Sequence, residues 1–474
     1  MTRSRLAAAG ALAGIVVLAV ALRRWGWENW SLWLDECLQV FVARQPARRI
    51  VELLRNERNH PPLDYFLTHL ALKFSSSALF LRWVPTILSA ATAVFVFFRS
   101  GAFRRPFAAL GASFSFAVLP FAVHQGQELR AYALALFWVG AADVCRAWHD
   151  ASGRRSALAC AAAASVFAIY SLYLAFLPLA AFWALDALDA RREGEGARRA
   201  RARLRLVPAV TILAFIPWVV AVRSNLTRPN EIPAPPITLA LVAEHVVGFL
   251  ADRQPGNDRW AAAFVVLAIG GAGIAVASAV ERRRAAVEAL ATVVGAAVFL
   301  KVTNHWFELR YFWFFFWPLA RILGEGAGSV ARLARGRVPA FVSVLVLLVA
   351  VEWPALAENA EAGRPDWRRP VRYAAWRQPA PPALVPVDWW SFMLLDYQQL
   401  VGEPPFRIEQ PCLVPRDLDA VLTRLEEGWV IRAPYGGSET AALLAASGPK
   451  PWATFAEADG VAVYRFEKGK IIPP

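Results

Sequence analysis

Long apolar runs alternate with short polar breaks along this chain. The runs lie at about 6 to 22, 79 to 98, 106 to 122, 131 to 148, 156 to 171, 174 to 189, 206 to 222, 260 to 279, 286 to 303, 311 to 328 and 338 to 355. Each approaches the roughly 17 to 25 residues that cross a bilayer core as a helix. The pattern predicts a polytopic α-helical membrane protein with about eleven transmembrane helices. Two regions depart from it. Residues 23 to 78 read as two short amphipathic helices over 35 to 58, separated at Pro46, followed by Leu63, Phe66, Leu67, Leu70, Ala71 and Phe74 at helical spacing. That third segment is expected to lie along the membrane surface. Beyond about residue 356 no spanning run occurs. Ala383 to Val387, Trp429 to Ile431 and Val461 to Phe466 read as strands, and Pro415 to Glu427 as a helix. The expected division is a transmembrane domain over 1–355 and a small soluble α/β domain over 356–474.

Composition agrees with this reading. A chain of 474 residues that is 57% hydrophobic, with mean hydropathy +0.39, is too apolar for a soluble domain of its length. A net charge of +14 would favour nucleic acid as the partner of a soluble protein, but here the arginines mark topology. Arg99, Arg104 and Arg105; Arg146, Arg154 and Arg155; the run from Arg191 to Arg205; Arg282 to Arg284; and Arg332, Arg335 and Arg337 all fall in alternate connections. The positive-inside rule then places those connections and the N-terminus in the cytoplasm. Residues 23–78, 123–130, 223–259, 304–310 and the C-terminal domain fall outside. Residues 1–24 read as an uncleaved signal anchor. Cys37, Cys145, Cys160 and Cys412 are scattered without CxxC spacing, so neither a disulfide framework nor a zinc site is implied. The Ala- and Arg-rich composition suggests a high-GC bacterium and hence its plasma (inner) membrane.

Candidate chemistry collects on the outer side. Trp33-Leu34-Asp35-Glu36 stands just past the first run, and His60-Pro61-Pro62-Leu63 follows it. Adjacent carboxylates can supply a general base or a metal ligand, although at a helix start they also serve as caps favoured by the dipole. Consecutive prolines fix the backbone at His60, which either sets an imidazole against a phosphate oxygen or launches the next helix. The next outer connection reads His124-Gln125-Gly126-Gln127-Glu128-Leu129-Arg130-Ala131-Tyr132. Gln127 and Glu128 are candidate sugar or acceptor contacts, and Arg130 is a candidate anion ligand, because guanidinium matches phosphate geometry. The plainer alternative is a solvated loop with Arg130 snorkelling and Tyr132 in the aromatic belt. Glu308-Leu309-Arg310-Tyr311 opens a late span beside Trp306 and Trp313. Arg310 is either an interfacial anchor or a second cation for a phosphate at the bilayer surface. In the loop 223–259, His245 is read as a packing residue, and Asn225-Leu226-Thr227 fits a glycosylation acceptor.

Together the W-x-D-E of 33–36, the H-P-P-L of 60–63, the Q-x-Q-E-x-R-x-Y of 125–132 and the Arg310-Tyr311 pair ahead of F-x-x-P-L-A resemble the GT-C class of integral-membrane glycosyltransferases. The resemblance covers about residues 25 to 325. It is strongest to relatives of protein O-mannosyltransferases and of the lipid A aminoarabinose transferase. It implies an inverting transfer of a hexosyl or pentosyl group from a polyprenyl-phosphate carrier to an acceptor hydroxyl at the outer face. The acceptor would be a lipid, glycan or protein, and nucleic acid is not implied as a partner. It further implies Asp35 as the catalytic carboxylate supported by Glu36, and His60, Arg130 and Arg310 near the carrier phosphate, with Gln127, Glu128, Tyr132 and Tyr311 completing the substrate site. The leaving group is already a phosphate ester, so cations and one base suffice. No cofactor is required, and a divalent metal is optional.

Two other classes fit a polytopic chain. A transporter or flippase of a lipid-linked intermediate would place ionisable residues at mid-membrane and break its helices, whereas these spans read as poor in charge, with polar groups crowding one face. A non-catalytic relative that binds a glycolipid would share every feature above and differ only in activity.

Overall fold

The computed structural model describes residues 3–27, 31–56, 60–190, 204–226, 238, 248, 250, 258–303, 309–361, 368–377, 382–401, 406–425, 427–433, 438–446, 450–455, 460–468 and 470–474. Trp306, Glu308, Thr227, His245 and Pro233 to Pro236 lie outside the described residues. The helices in chain order are α1 (Arg3–Arg24), α2 (Leu34–Ala43), α3 (Ala47–Asn56), α4 (Leu63–Leu72), α5 (Ala78–Leu81), α6 (Trp83–Arg99), α7 (Pro106–Val118), α8 (Pro120–Gln127), α9 (Ala131–Ser152), α10 (Arg155–Ser171) and α11 (Phe176–Ala190). They continue as α12 (Leu206–Leu226), α13 (Asp258–Val276), α14 (Ala279–Thr303), α15 (Phe316–Leu333), α16 (Arg337–Glu361), α17 (Arg368–Trp376), α18 (Trp389–Val401), α19 (Pro415–Arg424) and α20 (Glu439–Ala446). The chain divides into a helical unit (Met1–Trp25, Val51–Asp64, Trp83–Asn359) and a mixed unit (Gly26–Ile50, Tyr65–Arg82, Ala360–Pro474).

Every apolar run of the sequence falls on helix, but not every helix crosses a membrane by its own length and apolarity. Among the described residues, Arg3–Arg24, Ala78–Arg99, Leu206–Arg223, Ala279–Val302 and Arg337–Glu358 do so, and a sixth span results if α7 and α8, bent by 60°, count as one. These helices make the protein an integral membrane protein. The structure thus supports five or six spans and leaves the expected total of about eleven unconfirmed. The reason is visible in the sequence of the others. Helix α10 is short, and α9 and α15 carry charges within their apolar stretches.

Those charges are paired inside the helical unit. Asp143 of α9 accepts from Arg99 Nε at 2.9 Å, from Trp317 Nε1 at 3.0 Å and from Arg146. Arg146 also pairs with Asp186. Arg321 of α15 bridges Glu281 and Glu288, each at 2.7 Å. Arg105 meets Glu325, while Arg283 and Arg284 share Asp189. Charge this deep is tolerated only when it is matched and hydrogen-bonded. The expectation that polar groups crowd one face is therefore corrected: a second polar cluster ties α6, α9, α11, α14 and α15 together near the arginine-rich ends of the helices. Close packing does the rest. A Cβ on Gly324 would lie 2.3 Å from the Ala108 carbonyl oxygen, and one on Gly326 would lie 2.1 Å from that of Ile269. Small residues therefore let α7 and α13 approach α15 on two sides.

In the mixed unit, β1 (Ala383–Pro386) lies between β2 (Arg407–Ile408) and β3 (Glu427–Arg432), parallel to both. Strand β3 pairs antiparallel with β5 (Val461–Glu467), which also pairs with β4 (Ala453–Phe455) and β6 (Lys470–Ile472). The strands read from sequence are present, and Pro415 opens α19 at its first turn, where its missing N–H costs nothing. Val385, Val430, Tyr464 and Phe466 pack with Leu418 and Leu422 of α19 in one core.

Candidate active site

The Asp35 site starts from a helix cap. Trp33 is extended (φ −88°, ψ 176°) and donates its backbone N–H to Glu36 Oε2 at 3.2 Å, the reciprocal half of a capping box. Glu36 also accepts from Arg82 Nη2 at 2.8 Å, and both side chains are 0% exposed. Arg82 in turn donates to the Ser31 carbonyl at 2.9 Å. Glu36, expected to act with Asp35 in catalysis, thus spends its carboxylate on Arg82 and the cap. Removing either partner would strand a buried charge, so this pair is a fixed strut beneath the start of α2. Asp35, one residue earlier, is half-buried in the first turn of α2. The rest of α2 is tied down by Gln39 Nε2 donating to Thr68 Oγ1 at 3.2 Å, by His69 Nδ1 at 2.6 Å from the Ala43 carbonyl, and by an Arg44–Asp396 pair at its end.

The other expected residues belong to the helical unit. The connection expected over 123–130 is largely helix: Pro120 starts α8, which runs buried to Gln127. Proline cannot continue the α7 ladder but suits a first turn. Glu128 and Arg130 are each extended, with a tight turn between them in which the Arg130 N–H donates to the Glu128 carbonyl at 2.8 Å, and α9 follows. Arg130 Nη2 lies 2.7 Å from His60 Nε2. Guanidinium has no acceptor, so His60 meets it with a lone pair and carries its proton on Nδ1. Both residues are buried, at 7% and 8% exposure. His124 Nε2 lies 3.2 Å from Glu128 Oε1. Tyr132 is buried in the first turn of α9, where Arg310, Arg130, Tyr311 and Glu128 are all close enough to act on it electrostatically. Trp313 Nε1 donates to the Tyr132 carbonyl at 2.8 Å, which fixes the stretch carrying Arg310 and Tyr311. The fold thus brings His60, Arg130, Tyr132, Arg310 and Tyr311 together from sequence positions far apart. Gln127 differs from expectation. Its amide nitrogen donates to the Leu22 and Trp25 carbonyls at 3.4 and 3.2 Å, which leaves only Oε1 for a substrate. Among the described residues no three His, Cys, Asp or Glu side chains are grouped as metal ligands.

Arg23 is the residue that sequence reasoning missed. It is fully buried, and donates to Ser89 Oγ at 2.8 Å and to the carbonyls of Ala19, Ala117, Phe116 and Ala122 at 3.0 to 3.3 Å. The Ala117 and Phe116 carbonyls sit where the α7–α8 break leaves helix-end acceptors to be satisfied. Thr86 Oγ1 adds a bond to the Gly126 carbonyl at 3.1 Å. The available signal was a proline inside an apolar run together with an arginine ending the first span. A Cβ at Gly126 would lie 2.6 Å from Arg23 Nε and 2.7 Å from Ser89 Oγ. Gly126→Ala is therefore expected to cost about 1–3 kcal/mol through overpacking, measured as a lower unfolding temperature in detergent. An unchanged temperature would mean that Arg23 does not clamp the break.

No family model and no curated protein matches this sequence. Solved structures do match its fold. ArnT from Cupriavidus metallidurans in the apo state is similar at TM-score 0.61 and 12% identity, covering 99% of this chain and 100% of that one. The same protein bound to undecaprenyl phosphate gives 0.60 and 12%, covering 96% and 98%. The oligosaccharyltransferase of Archaeoglobus fulgidus in its apo form gives 0.54 and 13%, covering 90% of this chain and 69% of that one. At such identities the likeness is one of fold.

Proposed function

We propose that this chain, whose fold is that of GT-C glycosyltransferases, moves a sugar from a polyprenyl-phosphate carrier to an acceptor hydroxyl at the outer face of a bacterial inner membrane. The observation that carries the reading is the buried Arg130–His60 contact beside Tyr132, with Arg310 in electrostatic reach, in a fold whose neighbour ArnT binds undecaprenyl phosphate. In this reading the acceptor oxygen bonds to the anomeric carbon as the bond from that carbon to the phosphate oxygen breaks, a single displacement that inverts the centre. Asp35 takes the acceptor proton. Arg130 and Arg310 bind the phosphate and stabilise the charge that collects on it as it leaves. His60, held by Pro61 and Pro62, orients the Arg130 guanidinium. The arginine-rich connections lie in the cytoplasm and the C-terminal domain outside.

The test is carrier binding by the purified protein in nanodiscs. Arg130→Ala and Arg310→Ala are each expected to weaken undecaprenyl phosphate binding by roughly 10- to 150-fold, the equivalent of losing about 1.5–3 kcal/mol of charge-assisted hydrogen bonding. Unchanged affinity in both would remove the phosphate site.

The α7–α8 bend and the buried charges are features of transporters as well. Here the bend is filled by Arg23 and the charges are matched by partners in the same unit. Both therefore serve as fixed joints, and surface chemistry remains the better reading.

A further inference from the structure

The mixed unit holds a cavity of about 500 Å³, within the roughly 300–1,000 Å³ of small-molecule sites. Its wall comes from separate parts of the chain. The stretch after α1 gives Trp27, Ser31 and Leu32; the link from α4 to α5 gives Ser75, Ser76 and Ser77; α17 and α18 give Arg368, Arg372, Tyr397 and Gln398. Arg368 and Arg372 are one helical turn apart, so their guanidinium groups leave the same face of α17. Among the described residues that line the cavity there is no carboxylate.

The wall is held in place. Tyr397 Oη donates to the Ser76 carbonyl at 3.2 Å, and Arg82 donates to the Ser31 carbonyl at 2.9 Å while pairing with Glu36. One arginine therefore secures both the cavity rim and the helix start that carries Asp35. Leu32 lines the cavity and Asp35 follows three residues later. At 3.3–3.6 Å per residue, their Cα atoms are at most about 11 Å apart.

We infer that this cavity is the acceptor site, and that the acceptor is an anionic saccharide, a sugar bearing a phosphate or carboxylate. Guanidinium pairs bind such groups bidentately, and hydroxyls and an amide match sugar hydroxyls. The inference rests on the proposed transfer reaction, because it sets the acceptor hydroxyl beside the base Asp35.

The experiment is equilibrium binding to the full-length protein in nanodiscs, with glucose 1-phosphate, glucose and inorganic phosphate as probes, and undecaprenyl phosphate measured in the same preparations. Wild type is expected to bind glucose 1-phosphate at least about tenfold more tightly than either glucose or inorganic phosphate, one charge-assisted interaction or more. The double variant R368Q/R372Q should weaken glucose 1-phosphate by about tenfold or more. Val401→Trp, which fills the cavity and leaves both arginines, should weaken it likewise, and both variants should keep carrier binding. Glucose 1-phosphate binding that ignores both variants would overturn the site. Equal binding of glucose would overturn the anionic class, and equal binding of inorganic phosphate would overturn the saccharide class. Carrier binding absent from wild type would instead count against the transfer reaction, a failure separate from that of the cavity.

Discussion

Asp35→Asn is expected to lower transfer by about 10²- to 10⁴-fold, the usual contribution of a positioned general base, while the protein stays inserted and binds its carrier. The substitution keeps the size and hydrogen-bonding shape of the side chain but removes its capacity to take a proton. It should leave the local fold intact, because the cap of α2 is made by Glu36 and secured by Arg82. The measurement is mass analysis of envelope lipids, glycans and proteins from cells carrying wild type, Asp35→Asn or neither, with membrane content of the protein checked in parallel. A modification present with wild type and absent with the variant is the expected result. Full modification by Asp35→Asn would sink the mechanism and favour a transporter, which needs no base.

The second large effect is on stability. Asp143→Asn is expected to destabilise the helical unit by about 3–5 kcal/mol, the usual cost of breaking a buried ion pair from one side. Arg99 and Arg146 would keep their charge and lose their shared partner, with Arg321 close enough to add repulsion. At the sensitivity of a chain this large, that loss lowers the unfolding temperature by roughly 10 °C. Asp143→Asn combined with Arg99→Gln should recover part of it, since a neutral pair replaces an unmatched cation. Thermal unfolding in detergent decides between these outcomes, and an unshifted transition would show that the network contributes no stability. Carrier binding at low temperature should survive in both variants. Along α9 the network lies 13 residues from Arg130, about 20 Å at helical rise.

The membrane class, the helical runs, the short helices α2 to α4 and the C-terminal strands were all legible, because apolar periodicity is a local property. Asp35 and His60 were legible as polar residues in a stiff local context. Gly126 was not, since its constraint is the Arg23 side chain, which arrives from more than a hundred residues earlier. Glu36 looked the chemical equal of Asp35 in the sequence. Only Arg82, 46 residues away, separates a buried strut from a partly exposed acid.

By itself the sequence determined that this is a membrane protein with a mixed α/β unit and a set of acidic, basic and histidine residues arranged in short motifs. Local composition and spacing suffice for that. The tertiary structure decided which charges are matched to one another as joints of the fold. It buried Glu36 against Arg82, matched Asp143 to Arg99 and Arg146, filled the α7–α8 break with Arg23, and set His60 against Arg130. The physical reason is that a buried charge is tolerable only with a partner, and partners distant in sequence are identified only when the chain is folded.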